Sequence, residues 1–470
     1  METLPDDVLL MVLDELEDDA DVLACRLVCR RLAAVTLLPA VWRDRVICYS
    51  EPRCVCPVLR LAPCLYKLNV NLPAAGCRQS AYASTRCAAS RLWINVDGTA
   101  HTSHAAAIIC RQEALGRLRR VFIQIDTKTA PDVPMLLGTL ASTPRLEKLR
   151  VVCVGEENDP LPTTPAAVLG SAVVTSSLRK FRCNLFPLTE PFVRFILSEH
   201  AATLEEVDLR NSSPSLTFTS TAPLLAAVTN LTKLTCCCLP GMEALTACKS
   251  LGVLDLTVHT DSLYRPAVAG VAKLLRRAEQ LREVKLEYEP AVRSLADVGA
   301  ELVSALASSG RSRVETLRIS NYTLDLVENF PLLQPVVSAL PSLSALRRLK
   351  LDENESKPDA LLLAINPDVA PSLQRVEVWL GKGICAHAWI HGDTVKTVLS
   401  VNPSLHLILD PMKVACNDDE RCQACELDCH DEMKNERYWF IPCVFSHDPL
   451  AECPEDHLPD SCERWIYLPL

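Results

Sequence analysis

Glycine is scarce in this chain, with 14 residues in 470 against 32 prolines. No glycine-rich loop of the kind that cradles phosphate is present, and neither is a Gly-x-Ser-x-Gly elbow or a His-Glu-x-x-His pair. Nucleotide-driven chemistry, triad hydrolysis and zinc-protease chemistry therefore lack their sequence signatures. No charge-free apolar run reaches the roughly 18 residues that a membrane span needs. The N-terminus carries acids where a secretory leader needs a basic region. Positive charge is not in excess either: the net charge is −10, which argues against nucleic acid or an anionic membrane as a general partner. These absences predict a non-catalytic protein of the cytosol or nucleus, where most of its 23 cysteines stay reduced.

The charge that is present is unevenly placed. Residues 410–470 hold 15 acidic and 5 basic side chains, so the rest of the chain is balanced. Composition thus sets off a C-terminal segment, 410–470, from what precedes it. Three further parts are read along the chain: an N-terminal helical unit over 1–47, a linker over 48–64, and a repeat array over 65–409.

The N-terminal unit begins "LPDDVLLMVLDELEDDADVLACRLVCRRL". Val8, Leu9, Val12, Leu13 and Leu16 fall on one face of a helix predicted over 4–16. Pro5 suits its first turn, and Asp6 and Asp7 suit the positive end of the helix dipole. The acidic break at 17–21 ends it and can cap a second helix carrying Val22, Leu23, Leu27 and Val28, with Arg30 and Arg31 near its end. Pro39 then marks a break before Trp42. Three short helices in about 45 residues bury little, so the unit is expected either to finish its core on a partner or to serve as a plain cap for the array behind it.

These residues resemble an F-box. The family opens with Leu-Pro and an acidic turn (Leu4, Pro5, Asp6, Asp7), continues with an apolar pair and a leucine (Val12, Leu13, Leu16), and has an aspartate with apolar neighbours (Asp21, Val22, Leu23). It then has Val-Cys-Arg-Arg-aromatic (Val28, Cys29, Arg30, Arg31) and closes with Pro-x-Val-Trp (Pro39, Val41, Trp42). Leu32 stands where the family carries an aromatic, which implies a changed packing volume but an intact fold. The resemblance implies docking on the Skp-family adaptor of a cullin-RING ubiquitin ligase. It implies that Leu4, Pro5, Val8, Leu9, Val12, Leu13 and Leu16 face that adaptor, with Val28, Cys29 and Trp42 completing the surface. Some of the ten must instead hold the helices together.

Over 65–409 a short pattern recurs: apolar, two others, apolar, one other, apolar. It starts at 65, 89, 118, 146, 178, 204, 231, 251, 281, 314, 346 and 373, with spacings of 20 to 33 residues. That period belongs to leucine-rich repeats. Offsets 3 and 5 share one side of a short strand and offset 0 turns in from the loop before it, so each repeat offers an apolar edge that a neighbour must bury. Helical periodicity separates the strands at 191–204, 265–281 and 294–310. The expected fold is α/β: a three-helix F-box, then an irregular leucine-rich repeat solenoid with parallel strands inside a horseshoe and helices outside, then a Cys-rich C-terminal cap. A doubly wound α/β sheet is the alternative. Asn354 alone keeps the polar residue such repeats carry at offset 8. Cys183 and Cys236 fall on inward offsets as small apolar fillers, and Cys236, Cys237 and Cys238 should alternate in and out of one strand.

In the tail, Cys422 and Cys425 form a Cys-x2-Cys pair, with Cys429 or His430 as a third and Cys443 or His447 as a fourth possible zinc ligand. The second half of a regular zinc motif is missing, so reduced thiols in a capping segment are the other reading, and no bound cofactor is otherwise expected. The aromatic stretches 437–445 and 464–470 should pack the tail onto the last repeat. "WLGKGICAHAWIHGD" (379–393) reads as an inter-repeat loop; His387 and His391 become ligand candidates only if a third donor converges on them.

Two functions remain. One is the substrate receptor of an SCF-type ligase, a non-catalytic subunit whose partners are the Skp-family adaptor, through it a cullin, and a target protein held by the repeats. The other is a ligase-independent interaction scaffold. Exposed strand positions include Lys67, Arg119, Arg120, Glu205, Glu206, Arg282, Glu283, Arg347 and Arg348. Their charge is mixed, and the one-dimensional sequence shows no concentrated basic patch.

Overall fold

The computed structural model describes residues 4–47, 54–74, 78–97, 101–126, 133–154, 176–210, 219–289, 299–321, 333–352, 359–380, 384–411, 422–427, 429, 441–447, 463–468 and 470. The chain divides into two compact units, one formed by residues 1–215 with 227–231 and the other by 216–226 with 232–470.

The first unit opens with four short helices, α1 (Asp6–Asp14), α2 (Asp19–Cys25), α3 (Arg30–Val35) and the single turn α4 (Pro39–Trp42). Strands and helices then alternate: β1 (Val46–Ile47), α5 (Cys56–Leu61), β2 (Cys64–Leu72), α6 (Arg78–Ser84), β3 (Ala88–Val96), α7 (Thr102–Ala114) and β4 (Arg120–Asp126). α8 (Val133–Ser142), β5 (Lys148–Val154), β6 (Lys180–Cys183), α9 (Glu190–Glu199) and β7 (Glu206–Leu209) complete it. Every strand pairs in parallel with the next in sequence. The segment expected as a linker, 48–64, contains α5, with Pro57 in its first turn and Val58 and Leu59 buried.

The second unit continues the alternation with α10 (Thr221–Ala226), β8 (Lys233–Cys237), β9 (Val253–His259), α11 (Arg265–Arg277), β10 (Glu283–Glu289), α12 (Ala300–Ser308) and β11 (Thr316–Asn321). α13 (Leu333–Ala339), β12 (Arg348–Asp352), α14 (Asp359–Ala364), β13 (Arg375–Leu380), α15 (Ala386–Ile390), α16 (Asp393–Val401) and β14 (His406–Pro411) follow. Strands β8 to β14 are parallel in sequence order. The tail contributes α17 (Gln423–Leu427), β15 (Ile441–Phe445) and β16 (Glu463–Tyr467). Here the direction reverses: β15 runs antiparallel to β14, and β16 lies parallel to β15. The aromatic segments of the tail thus extend the sheet edge, burying Val444, Phe445 and Ile466.

Each unit is a repeat solenoid of strands and helices, and its core is the apolar pattern read from the sequence. In all twelve patterns the residues at offsets 0, 3 and 5 are buried, from Leu65, Leu68 and Val70 to Leu373, Val376 and Val378. Sequential parallel order excludes the alternative doubly wound sheet, whose strand order must reverse at a switch point. The shortest spacing, between 231 and 251, has room for only a 3-10 turn (Met242–Ala247) where other repeats place a longer helix. Buried polar side chains close gaps in the backbone pairing. Gln112 on α7 accepts from the Ala89 amide at 2.8 Å and donates to the Cys87 carbonyl at 3.0 Å.

Three local expectations are corrected. The helix expected over 294–310 starts at Ala300, after Gly299 at φ +90°; an added Cβ there would stand 2.8 Å from the Tyr288 ring, so the position requires glycine on two counts. Cys236, Cys237 and Cys238 do not alternate between core and solvent, because all three are buried. The facing positions Thr235, Asp255, Thr257 and Glu287 are also buried, so β8 to β10 are covered on both sides. Finally, the second N-terminal helix ends at Cys25, and Arg30 begins a separate one. Asn354 lies outside the described residues.

Candidate functional site

The four N-terminal helices make a small core of their own. Leu9, Leu13, Val22, Leu32, Val35, Val41 and Trp42 are all buried. Trp42 donates its indole N–H to the Thr36 carbonyl at 2.6 Å, which satisfies the one polar atom of a ring that is otherwise sealed. Arg31 on α3 donates to Asp6 through Nε at 3.0 Å and Nη2 at 2.6 Å, and also to the Leu4 carbonyl, so the Leu-Pro-Asp turn is fastened to α3. Arg45 donates to the carbonyls of Leu13 (2.7 Å) and Val41 (2.9 Å) and pairs with Asp19 (3.2 Å). Asp18 caps α2 through the Ala20 amide at 2.8 Å.

This core apportions the ten residues named from the sequence. Leu9, Leu13 and Trp42 belong to it and face no partner in the free chain. Leu16 is half-buried; so is Cys29, whose sulfur accepts from the Leu32 amide at the start of α3. Leu4, Pro5, Val8, Val12 and Val28 are exposed. Two more apolar residues join them: Met11 at 69% and Leu27 at 89% exposure. Val8, Met11 and Val12 share one side of α1 by helical spacing. Leu27 was hidden from sequence reading because a helix running on to Arg31 would bury it; the turn after Cys25 swings it out. Isolated apolar side chains at a surface are ordinary; this small unit exposes Leu4, Val8, Met11, Val12, Leu27 and Val28 together.

A second arrangement lies on the strand faces of the first unit. Register places Lys67, Arg91, Arg120, Lys148 and Lys180 side by side on consecutive strands, at the roughly 4.8 Å spacing of paired strands. The parallel row two residues further on reads Asn69, Trp93, Phe122, Arg150 and Arg182. Lys180 is paired with Glu206 (2.6 Å) and Arg182 with Asp208 (3.3 Å). Lys67, Arg91, Arg120, Lys148 and Arg150 form no ion pair among the described residues. Three of these cations sit over rings instead: Lys67 over Trp93 at 4.4 Å, Arg91 over Tyr66 at 4.2 Å, Arg150 over Phe122 at 4.7 Å. Arg150 Nε is buried with no hydrogen-bond partner among the described residues. Burial first, and the like charge of Arg182 second, lower the Arg150 pKa against the opposing pull of Asp208. The neighbouring row, by contrast, neutralises itself: Arg119 pairs with Glu147 and Arg179 with Glu205. In the second unit the equivalent row is mixed, running Lys233, Val253, Glu283, Thr316, Arg348, Arg375 and His406.

The third arrangement joins α15 to α17. Two groups of donors converge there, Cys385 with Cys422 and Cys425, and His387 with His391 and Cys429. The ligand atoms of each group lie within 4.8 Å of one another, a geometry that can hold a metal ion. Three of the four cysteines proposed from spacing are therefore placed, but divided between two groups. Cys443 is not among them: it is fully buried on β15, in register with Ile408 and Trp465. His447 also goes elsewhere, its Nδ1 2.7 Å from the Pro403 carbonyl oxygen and its Nε2 3.3 Å from His406 Nε2. Cys416, His430, Cys453, His457 and Cys462 lie outside the described residues. The third donor that His387 and His391 needed is Cys429. Cys385, 37 residues from Cys422, was invisible to local spacing.

Residues 1–48 match the F-box-like family. The N-terminal unit is an F-box-like domain, and repeats follow it. No curated protein matches the chain. Among solved structures, a chain described as "Crystal structure of Rad7 and Elc1 complex in yeast" is 12% identical, with 80% of this chain and 90% of that one covered and a TM-score of 0.36. That likeness is too remote to assign a partner. Among the described residues no helix is long and apolar enough to cross a membrane.

Proposed function

We propose that this chain is the substrate-recognition subunit of an SCF-type cullin-RING ubiquitin ligase. The observation that carries the reading is the state of the F-box-like domain. Its core is complete without help, yet Val8, Met11, Val12, Leu27 and Val28 remain at the surface. Burying such side chains contributes roughly 1.5–3 kcal/mol each, which supplies a reason to meet a Skp-family adaptor and, through it, a cullin. The leucine-rich repeats then hold the target, and the chain itself carries no reaction: it raises the concentration of target lysines near a charged ubiquitin-conjugating enzyme. Such a role belongs in the cytosol or nucleus.

Within this reading the target face is the first unit's strand surface, and the target chemistry is an acidic segment of a protein. Five cations that form no ion pair among the described residues, interleaved with Trp93 and Phe122, favour a flexible acidic chain over a nucleic acid, given the chain's net charge of −10. Zinc, in this reading, braces the C-terminal segment and takes no part in ubiquitin transfer.

Co-purification of the full chain with a Skp-family adaptor tests the proposal. The unsubstituted chain should carry the adaptor in equal amounts. Val12→Asp combined with Val28→Asp should lose it while keeping the same melting temperature, because both side chains lie outside the core. An unsubstituted chain that binds no adaptor leaves the ligase-independent scaffold as the better reading.

A further inference from the structure

We infer that the junction between α15 and α17 is a two-zinc site, one ion held by Cys385, Cys422 and Cys425 and the other by His387, His391 and Cys429. The inference stands apart from the receptor reading, since it holds whether or not the F-box-like domain meets an adaptor.

Distances carry the first part of the argument. Zn–S bonds of about 2.3 Å and Zn–N bonds of about 2.0–2.1 Å in a tetrahedron place two sulfurs about 3.8 Å apart, and a sulfur and a nitrogen about 3.5 Å apart. Cys385 Sγ stands 3.4 Å from Cys425 Sγ and 3.8 Å from Cys422 Sγ. Cys429 Sγ stands 3.3 Å from His387 Nε2 and 3.1 Å from His391 Nε2. A disulfide between any of the first three would need about 2.05 Å, so their sulfurs are separate.

Packing carries the second part. α17 has five residues, and only Cys425 is buried among them, while Leu427 is 66% exposed. A helix this short is unstable alone, since isolated helices below about 12 residues are marginal in water. Apolar burial does not hold it against α15. Thiols are weak donors and weak acceptors, so three converging sulfurs stabilise little by hydrogen bonding, and one Cys429 sulfur cannot give a proton to two imidazoles. A cation explains both convergences at once: it replaces the thiol protons, and its binding free energy becomes the folding free energy of the segment.

The sequence is built for two ions. His387 lies on α15 and His391 directly follows its last residue, four positions on, which puts both rings on one side, with centroids 5.1 Å apart. Cys385 precedes the helix and reaches the other group. On the other side of the junction, Cys422, just before α17, and Cys425, within it, serve the first ion, and Cys429, after α17, serves the second. Each group supplies three donors, and a fourth ligand from outside the groups or a water completes each tetrahedron. The first site is the more enclosed, with Cys425 buried. The second is more open, with Cys429 exposed. Soft thiolates at an enclosed site hold zinc longer, so a chromogenic chelator should remove metal in two phases, the Cys/His ion first.

The test uses the full chain, purified without chelator, with metal measured by plasma mass spectrometry and thiols counted by alkylation. Two zinc equivalents are expected. His391→Ala and Cys422→Ser should each retain one, and Cys110→Ser, an exposed site outside both groups, should retain two. Cobalt exchanged into the unsubstituted chain should give thiolate-to-metal charge-transfer bands, a readout that needs no variant. Zinc-free protein with all four donor cysteines open to alkylation overturns the inference. So does a Cys385–Cys425 disulfide in intact-mass data, or a metal content that neither variant changes.

Discussion

Arg45 Nη2 donates to the carbonyl oxygen of Leu13 at 2.7 Å. One guanidinium thereby holds the end of α1 against the segment that follows α4, with its side chain only 10% exposed and its charge met by Asp19. The contact bridges 32 residues of chain and holds the C-terminal end of α1, while the Arg31–Asp6 clasp holds its N-terminal end.

Replacing Arg45 by methionine should loosen this domain first. The substitution keeps a long apolar stem but strands the Val41 carbonyl, worth about 1–3 kcal/mol if left unsatisfied, and leaves the Leu13 carbonyl only the 3.4 Å bond from the Leu16 amide. Thermal unfolding followed by proteolysis near the N-terminus should show a destabilisation of about 1–3 kcal/mol confined to residues 4–47. An unchanged melting curve would remove Arg45 from the list of residues that hold the domain.

The solenoid core makes a sharper contrast. Leu254 and Leu286 are fully buried at offsets 3 and 5. Truncation of either to alanine should cost about 2–5 kcal/mol in urea unfolding. Exchange of Arg347 for alanine, at an exposed position between offsets, should cost less than about 0.5 kcal/mol. Equal costs at the two kinds of position would contradict the assigned register.

Reversing charge along the basic row should weaken an acidic target segment specifically. Arg91→Glu with Lys148→Glu is expected to raise the dissociation constant for a fluorescent acidic peptide by at least ten-fold and to flatten its dependence on salt. The same exchange at Arg282 and Arg347 in the second unit should change little, because the charges there alternate. Fluorescence anisotropy at two ionic strengths checks both arms.

The buried thiols predict a loss of stability at high pH. Burial pushes Cys153 and Cys237 from 9.0 up to about 12. Below pH 9 both forms of the chain hold these protons, so nothing is lost there. Between pH 9 and 12 only the unfolded chain releases them, so stability falls as pH rises, by about 1.4 kcal/mol per pH unit for each such thiol. Urea midpoints measured from pH 8 to 10.5 should bend downward above 9, and Cys153→Ala with Cys237→Ala should bend less. At pH 8, iodoacetamide should label exposed Cys110 quickly and leave Cys153 and Cys237 untouched until unfolding.

What could be read without coordinates was local and periodic. Strand offsets are fixed by a two-residue repeat, so Leu68 and Val70, or Leu349 and Leu351, announce their burial within six letters. The Leu-Pro-Asp turn, Trp42 and the Cys422/Cys425 pair are equally local. What stayed hidden depends on where distant segments meet. Leu27 faces solvent because of a turn that no periodicity announces, and Leu9 and Leu13 are core because α3 and α4 pack against α1. Cys385 and Cys429 are separated by three helices and a strand, so spacing within the tail pointed instead to Cys443, which the sheet edge takes for its own core. The basic row was present in the text as single letters 24 to 32 residues apart; only parallel register lines them up.

That line of cations has a kinetic meaning. Its members stand closer together than the roughly 8–10 Å over which salt screens a charge, so an approaching chain feels them as one field and not as five separate sites. Such a field hastens encounter with any acidic run, whatever its order of residues. It cannot discriminate among them. Discrimination would fall to how long a captured segment stays, and on this face that is decided by what packs against Trp93 and Phe122, whose rings lie 4.0 Å apart between the charges.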